Sequence, residues 1–280
     1  MTTLVTGARG KVGQAVISRL HAARHAVRAA SADPSALTVP DGVEVAELVL
    51  DRPATFEAAL RDVRQVFLYP NPAGIDALVA AAEAAGVEHV VLLSSSSVLG
   101  PDAERDPLAG HSLRVERALT ASTLTCTFLR PDAFASNSFG WARAIGGALP
   151  VELAYPDAQI APIHPEDIAD IAAEALTGDS LTGRSFTLTG AESLAFREQI
   201  ALLAQAVGRE IEVRRITRAE AEGQLGAFMP APMVSSLLNL WQAADGRPAE
   251  VADTTETLLG RPARTFRQWA EENAAAFAGH

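Results

Sequence analysis

The strongest constraint on the fold lies at the start of the sequence, where a short apolar run leads through three glycines into a helical pattern. Thr3–Thr6 has the composition of a buried strand, and Gln14–Leu20 has helical periodicity. Gly7 permits a sharp turn off the strand, Gly10 lets backbone amides approach a pyrophosphate, and Gly13 lets the helix pack closely. The amino end of that helix then faces an anion. The sequence predicts a dinucleotide-binding turn made of Gly7, Ala8, Arg9, Gly10, Lys11, Val12 and Gly13.

The first half of the chain alternates short apolar runs with Ala-rich helical stretches. Consecutive βαβ crossovers in a parallel sheet give this pattern, because helices then cover both faces of the sheet. The predicted strands are Thr3–Thr6, Ala26–Ala30, Val43–Leu48, Gln65–Leu68, His89–Leu93 and Thr125–Leu129. The clearest helix is Gly74–Ala85, which Pro72 precedes and Gly86 follows. The predicted fold class is therefore α/β, a Rossmann-type doubly wound parallel sheet.

After Pro131 the strict alternation fails, and this change predicts two domains. We expect a nucleotide-binding domain over residues 1–135, to which later segments can return, and a smaller α/β substrate lobe over residues 136–280. Within the lobe the pattern predicts a strand at Arg184–Thr189 and a helix at Phe196–Val207. Met229–Met233 has the composition of a loop or lid over an apolar site.

Charge and cysteine usage exclude several classes of protein. The formal net charge of −11 offers no basic surface to nucleic acid. The sequence shows neither an apolar run of bilayer length nor a basic-then-apolar leader, so we expect a cytoplasmic protein without a membrane partner. Cys126 is the single cysteine, which excludes an intrachain disulfide. A helix start explains His164, Glu166 and Asp167 better than a metal site does. The sequence leaves open whether the protein is a monomer or a homodimer.

The choice between NADP(H) and NAD(H) depends on the charge that meets the adenosine ribose. The second predicted strand leads into Ser31, where an acidic residue would repel a 2′-phosphate. Arg9 and Lys11 lie within the glycine-rich turn and can pair with that phosphate, so we expect NADP(H). Asp33 lies close enough to keep NAD(H) as the alternative. Asp51, after the third strand, is either an acceptor for the adenine amino group or a helix cap.

Three later segments form a joint pattern with the glycine-rich turn: Val91-Leu92-Leu93-Ser94-Ser95-Ser96-Ser97-Val98, His111–Leu119, and Leu129–Phe134 with Asn137. Jointly they resemble the short-chain dehydrogenase/reductase superfamily, and in particular its atypical, NmrA-like branch. The resemblance covers most of the chain and implies an NAD(P)H-dependent oxidoreductase. It also implies a catalytic serine at the end of the fifth strand, which in this sequence is Ser95.

The superfamily's Tyr-x-x-x-Lys pair is missing from the helix that should carry it. The matching positions hold His111 and Val115. Hydride transfer to a ketone needs a hydrogen-bond donor for the developing alkoxide, and the missing pair leaves three alternatives. In the first, His111 replaces the phenol while Ser95 orients the carbonyl, although His111 is equally explained as a residue of the helix start. In the second, the substrate supplies its own proton, as a phenol beside a ketone can. In the third, the fold senses the cofactor and does no chemistry.

The resemblance further implies which residues meet the nicotinamide, and residue type indicates which could meet an apolar substrate. Pro131 and Phe134 are expected at the nicotinamide, and Tyr69, after the fourth strand, is a further candidate for cofactor binding. The substrate-binding candidates are Ser96, Asn137, Phe139, Trp141, Phe228 and Met229. For the aromatic members and Met229 the alternative is a place in the core of the lobe. Glu116 and Arg117 are assigned to a solvated helix face.

The leading hypothesis is an NADPH-dependent ketoreductase that acts on a bulky, aromatic, polyketide-type natural product without the usual Tyr-Lys pair. One alternative is an NADP(H)-sensing regulator without catalysis. Another is an NAD(P)H-dependent quinone or double-bond reductase. All three use the same cofactor site, so the sequence does not separate them.

Overall fold

The computed structural model describes residues 1–279, and these residues alternate strands and helices along most of the chain. The strands are β1 (Thr2–Val5), β2 (Ala26–Ser31), β3 (Glu44–Glu47), β4 (Val63–Leu68), β5 (His89–Leu93), β6 (Thr125–Pro131), β7 (Val151–Leu153), β8 (Gln159–Ile160), β9 (Ser185–Leu188), β10 (Leu194–Ala195) and β11 (Val213–Arg215). The α-helices are α1 (Lys11–Ala22), α2 (Phe56–Leu60), α3 (Ile75–Ala84), α4 (Pro107–Thr120), α5 (Ala142–Gly146), α6 (Pro165–Thr177), α7 (Phe196–Val207), α8 (Arg218–Leu225), α9 (Ala231–Ala244), α10 (Thr254–Leu259) and α11 (Phe266–Glu272). Short 3-10 helices lie at Pro34–Ala36, Pro53–Thr55, Ser96–Leu99, Ala135–Trp141 and Ala274–Ala276.

The main sheet is parallel. Within residues 1–279 it contains seven strands in the order β3-β2-β1-β4-β5-β6-β9. The chain first builds outward from β1 through β2 to β3 and then returns to place β4 on the other side of β1. The order of the strands therefore reverses between β1 and β4, which is where sheets of this kind bind ligands. The predicted α/β class and doubly wound parallel sheet are confirmed.

The chain forms two compact units, and the first holds most of the sheet. It comprises residues 1–105, 109–131 and 165–187, so that α6 and most of β9 return to it after an excursion of the chain. Helices α2, α3 and α4 share one apolar cluster with Leu4, Leu92 and other strand residues. Helices α1 and α6 lie on the opposite face of the sheet and pack against each other. Arg19 of α1 bonds to Glu166 and Asp170 of α6. Covering both faces makes the strands apolar throughout, as in β5, where all five residues are buried.

The second unit comprises residues 106–108, 132–164 and 188 onward. Two small sheets, β7 with β11 and β8 with β10, flank a core that is rich in aromatic residues. Phe266, Trp269 and Phe277 are buried in that core. None of the helices within residues 1–279 is long and apolar enough to cross a bilayer.

Most elements differ from their predicted bounds by one or two residues. Strand β5 and helix α7 have the predicted limits. The predicted loop at Met229–Met233 is wrong from Ala231 onward, because α9 begins there with Pro230 as its N-cap. Proline is tolerated in the first turn of a helix, since the amide hydrogens there have no helical partner. The helix is held by Val234 and Leu238, which lie one turn apart and are both buried.

Candidate functional site

The glycine-rich turn joins β1 to α1 at the point where the order of the strands reverses. Gly10 is the N-cap of α1 and has an extended backbone, and no acidic side chain lies in the first turn of the helix. The backbone amides of that turn have no helical acceptor, so they are available to an anion. Gly7 has a φ of +62°, which only glycine adopts without strain. A Cβ atom at Gly13 would lie 2.4 Å from the carbonyl oxygen of Gly7.

Tyr69 lies directly beside this turn. Its backbone N–H donates to the hydroxyl of Thr6 at 2.7 Å, and the Thr6 hydroxyl donates in turn to the carbonyl of Phe67 at 3.2 Å. A Cβ atom at Gly7 would be 2.8 Å from Cβ of Tyr69, so the turn and this residue are in close contact. The Tyr69 side chain is 55% exposed. The structure therefore brings together two of the segments that the sequence assigns to the cofactor.

At the end of β2, the groups assigned to the adenosine ribose lie close to one another. Ser31 is buried, and its hydroxyl accepts from the backbone N–H of Asp33 at 3.1 Å. The Asp33 carboxylate accepts from the hydroxyl and the N–H of Ser35, and the hydroxyl is the largest cause that lowers the pKa of Asp33. The positive charge of Arg9 lowers that pKa further, as the smallest of these effects. The glycine turn and the end of β2 thus contribute a cation and a carboxylate whose charges interact.

Lys11 and Asp51 are both exposed. The helix-cap explanation for Asp51 is wrong, because the N-cap of the helix Pro53–Thr55 is Arg52, and no side chain caps it. The carboxylate of Asp51 therefore has no capping role in the structure.

The serine cluster at the end of β5 gives Ser95 a defined hydrogen-bonding role. Its hydroxyl accepts from the backbone N–H of Ser97 at 3.2 Å and lies 2.8 Å from the Ser97 hydroxyl. When Ser97 donates in that second contact, the Ser95 hydroxyl keeps its own hydrogen for another acceptor. Ser95 is the N-cap of the helix Ser96–Leu99, whose first residue, Ser96, is half-buried. Ser97 is a residue that the sequence interpretation did not single out.

Helix α4 carries the two positions that the superfamily pattern assigns to Tyr and Lys. His111 is exposed in its second turn, and its imidazole forms no hydrogen bond or ion pair with another residue in 1–279. Val115 is 0% exposed and packs in the core of the first unit. No hydrogen bond joins His111 to Ser95 within the described residues. The chain therefore has a buried apolar side chain in place of the lysine.

The assignment of Glu116 to a solvated face is wrong. Glu116 is 6% exposed, and its carboxylate binds the Arg130 guanidinium through two hydrogen bonds of 2.9 and 2.7 Å. The buried residues Ser112, Val115, Glu116 and Leu119 recur at helical spacing, which is the signal that could have identified the inward face. Arg117 is exposed, as expected.

The segment after β6 contains most of the candidates for substrate binding. Pro131 ends β6 and is buried, while Phe134 is half-buried and pairs with Ile163 in a short parallel bridge. Asn137 is exposed on the 3-10 helix Ala135–Trp141. This helix places its aromatic residues over the core of the second unit.

Those aromatic residues have well-defined partners. The Phe139 ring stacks on Phe277 with centroids 5.5 Å apart and meets the edge of Trp269 at 5.1 Å. Trp141 meets Phe196 edge-on at 5.8 Å. These contacts favour the core alternative for Phe139 and Trp141, although both keep a partly exposed side.

Met229 packs beside a small apolar cluster between α8 and α9, whereas Phe228 is 84% exposed. Just before α6, Nε2 of His164 lies 3.1 Å from the carboxylate of Glu272, and in its first turn Glu166 forms an ion pair with Arg19 at 2.6 Å. No group of three or more His, Cys, Asp and Glu residues within 1–279 has the spacing to hold a metal ion.

Comparisons with known proteins agree with this geometry. A family described as NAD(P)H-binding matches residues 7–179. The chain is 40% identical over 98% of its length and 99% of the relative's length to a (4-alkanoyl-5-oxo-2,5-dihydrofuran-3-yl)methyl phosphate reductase of Streptomyces griseus. It is 31% identical, over 98% of both chains, to an NAD(P)H azoreductase of Xenophilus azovorans.

Among solved structures, the NADPH-dependent quinone oxidoreductase QOR2 of Escherichia coli superimposes with a TM-score of 0.80 at 22% identity, covering 96% of this chain and 99% of that one. Fold, glycine-rich turn and relatives together define the class. The chain belongs to the NAD(P)H-binding, NmrA-like branch of the atypical short-chain dehydrogenases/reductases. It is an NAD(P)H-dependent reductase.

Proposed function

We propose that the protein is an NADPH-dependent reductase of carbon–carbon double bonds that are conjugated to a carbonyl group. The observation that carries this proposal is the composition of α4. At the position of the lysine it has Val115, which is fully buried, and at the position of the tyrosine it has His111, which no other described side chain orients. A site of this kind lacks the tyrosine-lysine relay that protonates an alkoxide.

The substrate must therefore accept the hydride to give an anion that is stable without such a proton relay. The reduced nicotinamide supplies a hydride when it is bound. If the hydride acceptor is the β-carbon of an enone, the π electrons of the alkene move to the carbonyl oxygen, and the charge is shared between oxygen and carbon. Such an enolate is a much weaker base than an alkoxide, so water can later deliver the proton to the α-carbon. One hydrogen-bond donor to the oxygen is then sufficient.

We assign Ser95 as that donor. The Ser95 hydroxyl oxygen accepts from the Ser97 N–H, and also from the Ser97 hydroxyl when that group is the donor. The hydrogen of the Ser95 hydroxyl is then left for the carbonyl oxygen of the substrate. A hydroxyl that accepts hydrogen bonds is a stronger donor, because the bonds polarise one another. Ser97 is thus assigned to orient Ser95.

The relatives support a conjugated acceptor. The name of the Streptomyces protein describes a ring whose double bond carries an alkanoyl group and lies next to the ring carbonyl, so that two carbonyl groups stabilise one enolate. The other two names describe an azo compound and a quinone, which are also conjugated acceptors. Because the identity to the Streptomyces relative extends over nearly the whole chain, a butenolide of that type is the proposed substrate.

The preference for NADPH rests on the charges at the end of β2. Arg9 and Lys11 are exposed at the turn and are available to a 2′-phosphate. The Asp33 carboxylate, which would repel that phosphate, accepts a hydrogen bond from Ser35, and the positive charge of Arg9 acts on it. The related quinone oxidoreductase binds NADPH.

A second candidate is reduction of a ketone in an aromatic polyketide that carries a neighbouring phenol. The exposed imidazole of His111 favours this reading, since it lies on the helix that carries the tyrosine in the superfamily pattern. In this case the phenol or His111 would supply the proton that the missing tyrosine does not.

The test is oxidation of NADPH, followed at its near-ultraviolet absorbance, with five acceptors and with NADH in parallel. The acceptors are an alkanoyl-butenolide methyl phosphate, a quinone, an azo dye, a ketone beside a phenol and the O-methyl ether of that ketone. Turnover of the butenolide with little turnover of the ketones supports the proposal. Turnover of the phenolic ketone but not of its ether supports the second candidate. Tight NADPH binding without any turnover would contradict both and support a cofactor-sensing regulator.

A further inference from the structure

A buried ion pair lies directly behind the serine cluster in the first unit. The Glu116 carboxylate accepts from Nε and Nη2 of Arg130, and the two side chains are 8% and 19% exposed. Ser94 donates its hydroxyl to the same carboxylate at 2.5 Å. The Arg130 guanidinium lies over the ring of Phe128, 5.7 Å from its centroid. The carboxylate thus joins α4 to both β5 and β6.

The positions of these contacts along the chain are significant. Ser94 is the residue before Ser95, and Arg130 is the residue before Pro131. Glu116 follows Val115, the residue at the lysine position, and lies five residues after His111. One carboxylate therefore connects the three segments that carry the proposed reaction site.

The remaining contacts of α4 do not fix its position in the same way. Val115 and Leu119 contribute apolar burial, which is non-directional and tolerates small shifts of the helix. The other ion pairs of this helix in residues 1–279 are Arg114 with Asp76 and Arg117 with Glu104, and all four side chains are largely exposed. Exposed pairs of this kind contribute little, because water screens them. Glu116 is the residue of α4 whose bonds to the sheet are both buried and directional.

We infer that Glu116 and Arg130 are positioning residues of the reductase, which hold α4 and the Ser95 hydroxyl in register with each other. The superfamily pattern assigns a lysine to this position of the helix, and here the position holds the apolar Val115. The adjacent carboxylate ties the helix to the sheet instead. The inference rests on the proposed function for its kinetic readout, and the structural readout below does not depend on it.

The test uses Glu116→Gln and Arg130→Lys, which keep the size of the side chains but break the bidentate charge pair. We expect kcat to fall roughly 10- to 100-fold, because small misplacements of catalytic groups have effects of this size. The dissociation constant of NADPH should stay unchanged. Glu104→Gln is the matched control, because it removes an exposed ion pair of the same helix, and it should leave both quantities unchanged.

A double variant separates positioning from stability. Glu116→Met/Arg130→Met fills the same space with apolar groups, and such replacements often restore the stability of a buried pair. We expect the melting temperature to recover in this variant and kcat to stay low. If kcat recovers together with the melting temperature, or if Glu116→Gln and Arg130→Lys turn over as fast as the wild type, the pair is only structural and the inference is overturned.

Hydrogen exchange provides a readout without turnover. The amide of Ser97 is held by Ser95, so we expect peptides covering residues 94–99 to exchange faster in Glu116→Gln than in the wild type or in Glu104→Gln. Unchanged exchange there would overturn the inference even if no acceptor is reduced. A wild-type enzyme that is silent with all five acceptors, but shows this change in exchange, would contradict the proposed function and not the positioning role.

Discussion

Replacement of Gly13 by alanine is the most direct test of the proposed architecture of the cofactor turn. The new Cβ atom would lie 2.4 Å from the carbonyl oxygen and 2.9 Å from the carbonyl carbon of Gly7, where ordinary contacts begin at 3.4 Å. The neighbour is backbone and not a flexible side chain, so the turn itself must move by about 1 Å. Overpacking of this kind costs about 1–3 kcal/mol, and the higher helix propensity of alanine offsets about 1 kcal/mol of it.

The larger effect should be on cofactor binding. A turn displaced in this way loses at least one amide–phosphate hydrogen bond, which is worth about 1.5–3 kcal/mol because the acceptor is charged. The dissociation constant of NADPH should therefore rise roughly 10- to 150-fold. The assay is titration of NADPH fluorescence, with thermal unfolding of the free protein in parallel.

Gly110→Ala is the matched control. Gly110 lies in α4 with no atom within 4 Å of its would-be Cβ, so alanine there should stabilise the helix by about 0.5–1 kcal/mol and leave NADPH binding unchanged. If Gly13→Ala binds NADPH as tightly as the wild type, the helix does not need its close approach to Gly7, and the account of the turn is refuted.

Three further predictions concern single side chains. Arg9→Gln should lower kcat/KM for NADPH roughly 10- to 100-fold, because it removes a charge-assisted hydrogen bond to the 2′-phosphate. The value of kcat/KM for NADH should not change, and equal losses with both cofactors would contradict this prediction. Burial lowers the pKa of His89, against a smaller opposing effect of Asp179, so the unfolded state binds a proton near about pH 6.5 that the folded state does not. The free energy of unfolding should therefore decrease as the pH falls below that value, by at most about 1.4 kcal/mol per pH unit, and urea unfolding of His89→Gln should show a smaller decrease. Burial raises the pKa of Cys126 from 9.0 to about 11. A disulfide reagent should therefore modify the thiol of the native protein roughly 100-fold more slowly than that of the unfolded protein, and equal rates would disprove the effect of burial.

The elements that were predicted well are those whose local sequence and burial agree. Strand β5 has its predicted limits because all five of its residues are buried, which makes the strand a continuous apolar run. Strand β3 is shorter than predicted, Glu44–Glu47, because it is an edge strand with mostly exposed residues. The glycine-rich turn combines a strand, three glycines and a helix within one short segment, and so the sequence identifies it directly.

The errors arise where the partner of a residue lies far along the chain. Glu116 was assigned to solvent because it is charged, while its partner Arg130 stands on another element and no local pattern links the two. For Phe139 the sequence left both substrate binding and a place in the core open, because its ring contacts Trp269 and Phe277 more than a hundred residues later. The roles of Ser95 and His111 in catalysis stay predictions, since they depend on a substrate as well as on the chain.

The most direct test of the central claim is the position of the transferred hydrogen. NADPH with deuterium at the transferable C4 position is turned over with an alkanoyl-butenolide methyl phosphate, and the product is analysed by NMR. Conjugate addition predicts deuterium on the ring carbon β to the two carbonyl groups, with both carbonyls retained and the α-hydrogen derived from water. Deuterium on a carbinol carbon, with one carbonyl lost, would contradict conjugate addition and make the protein a ketoreductase.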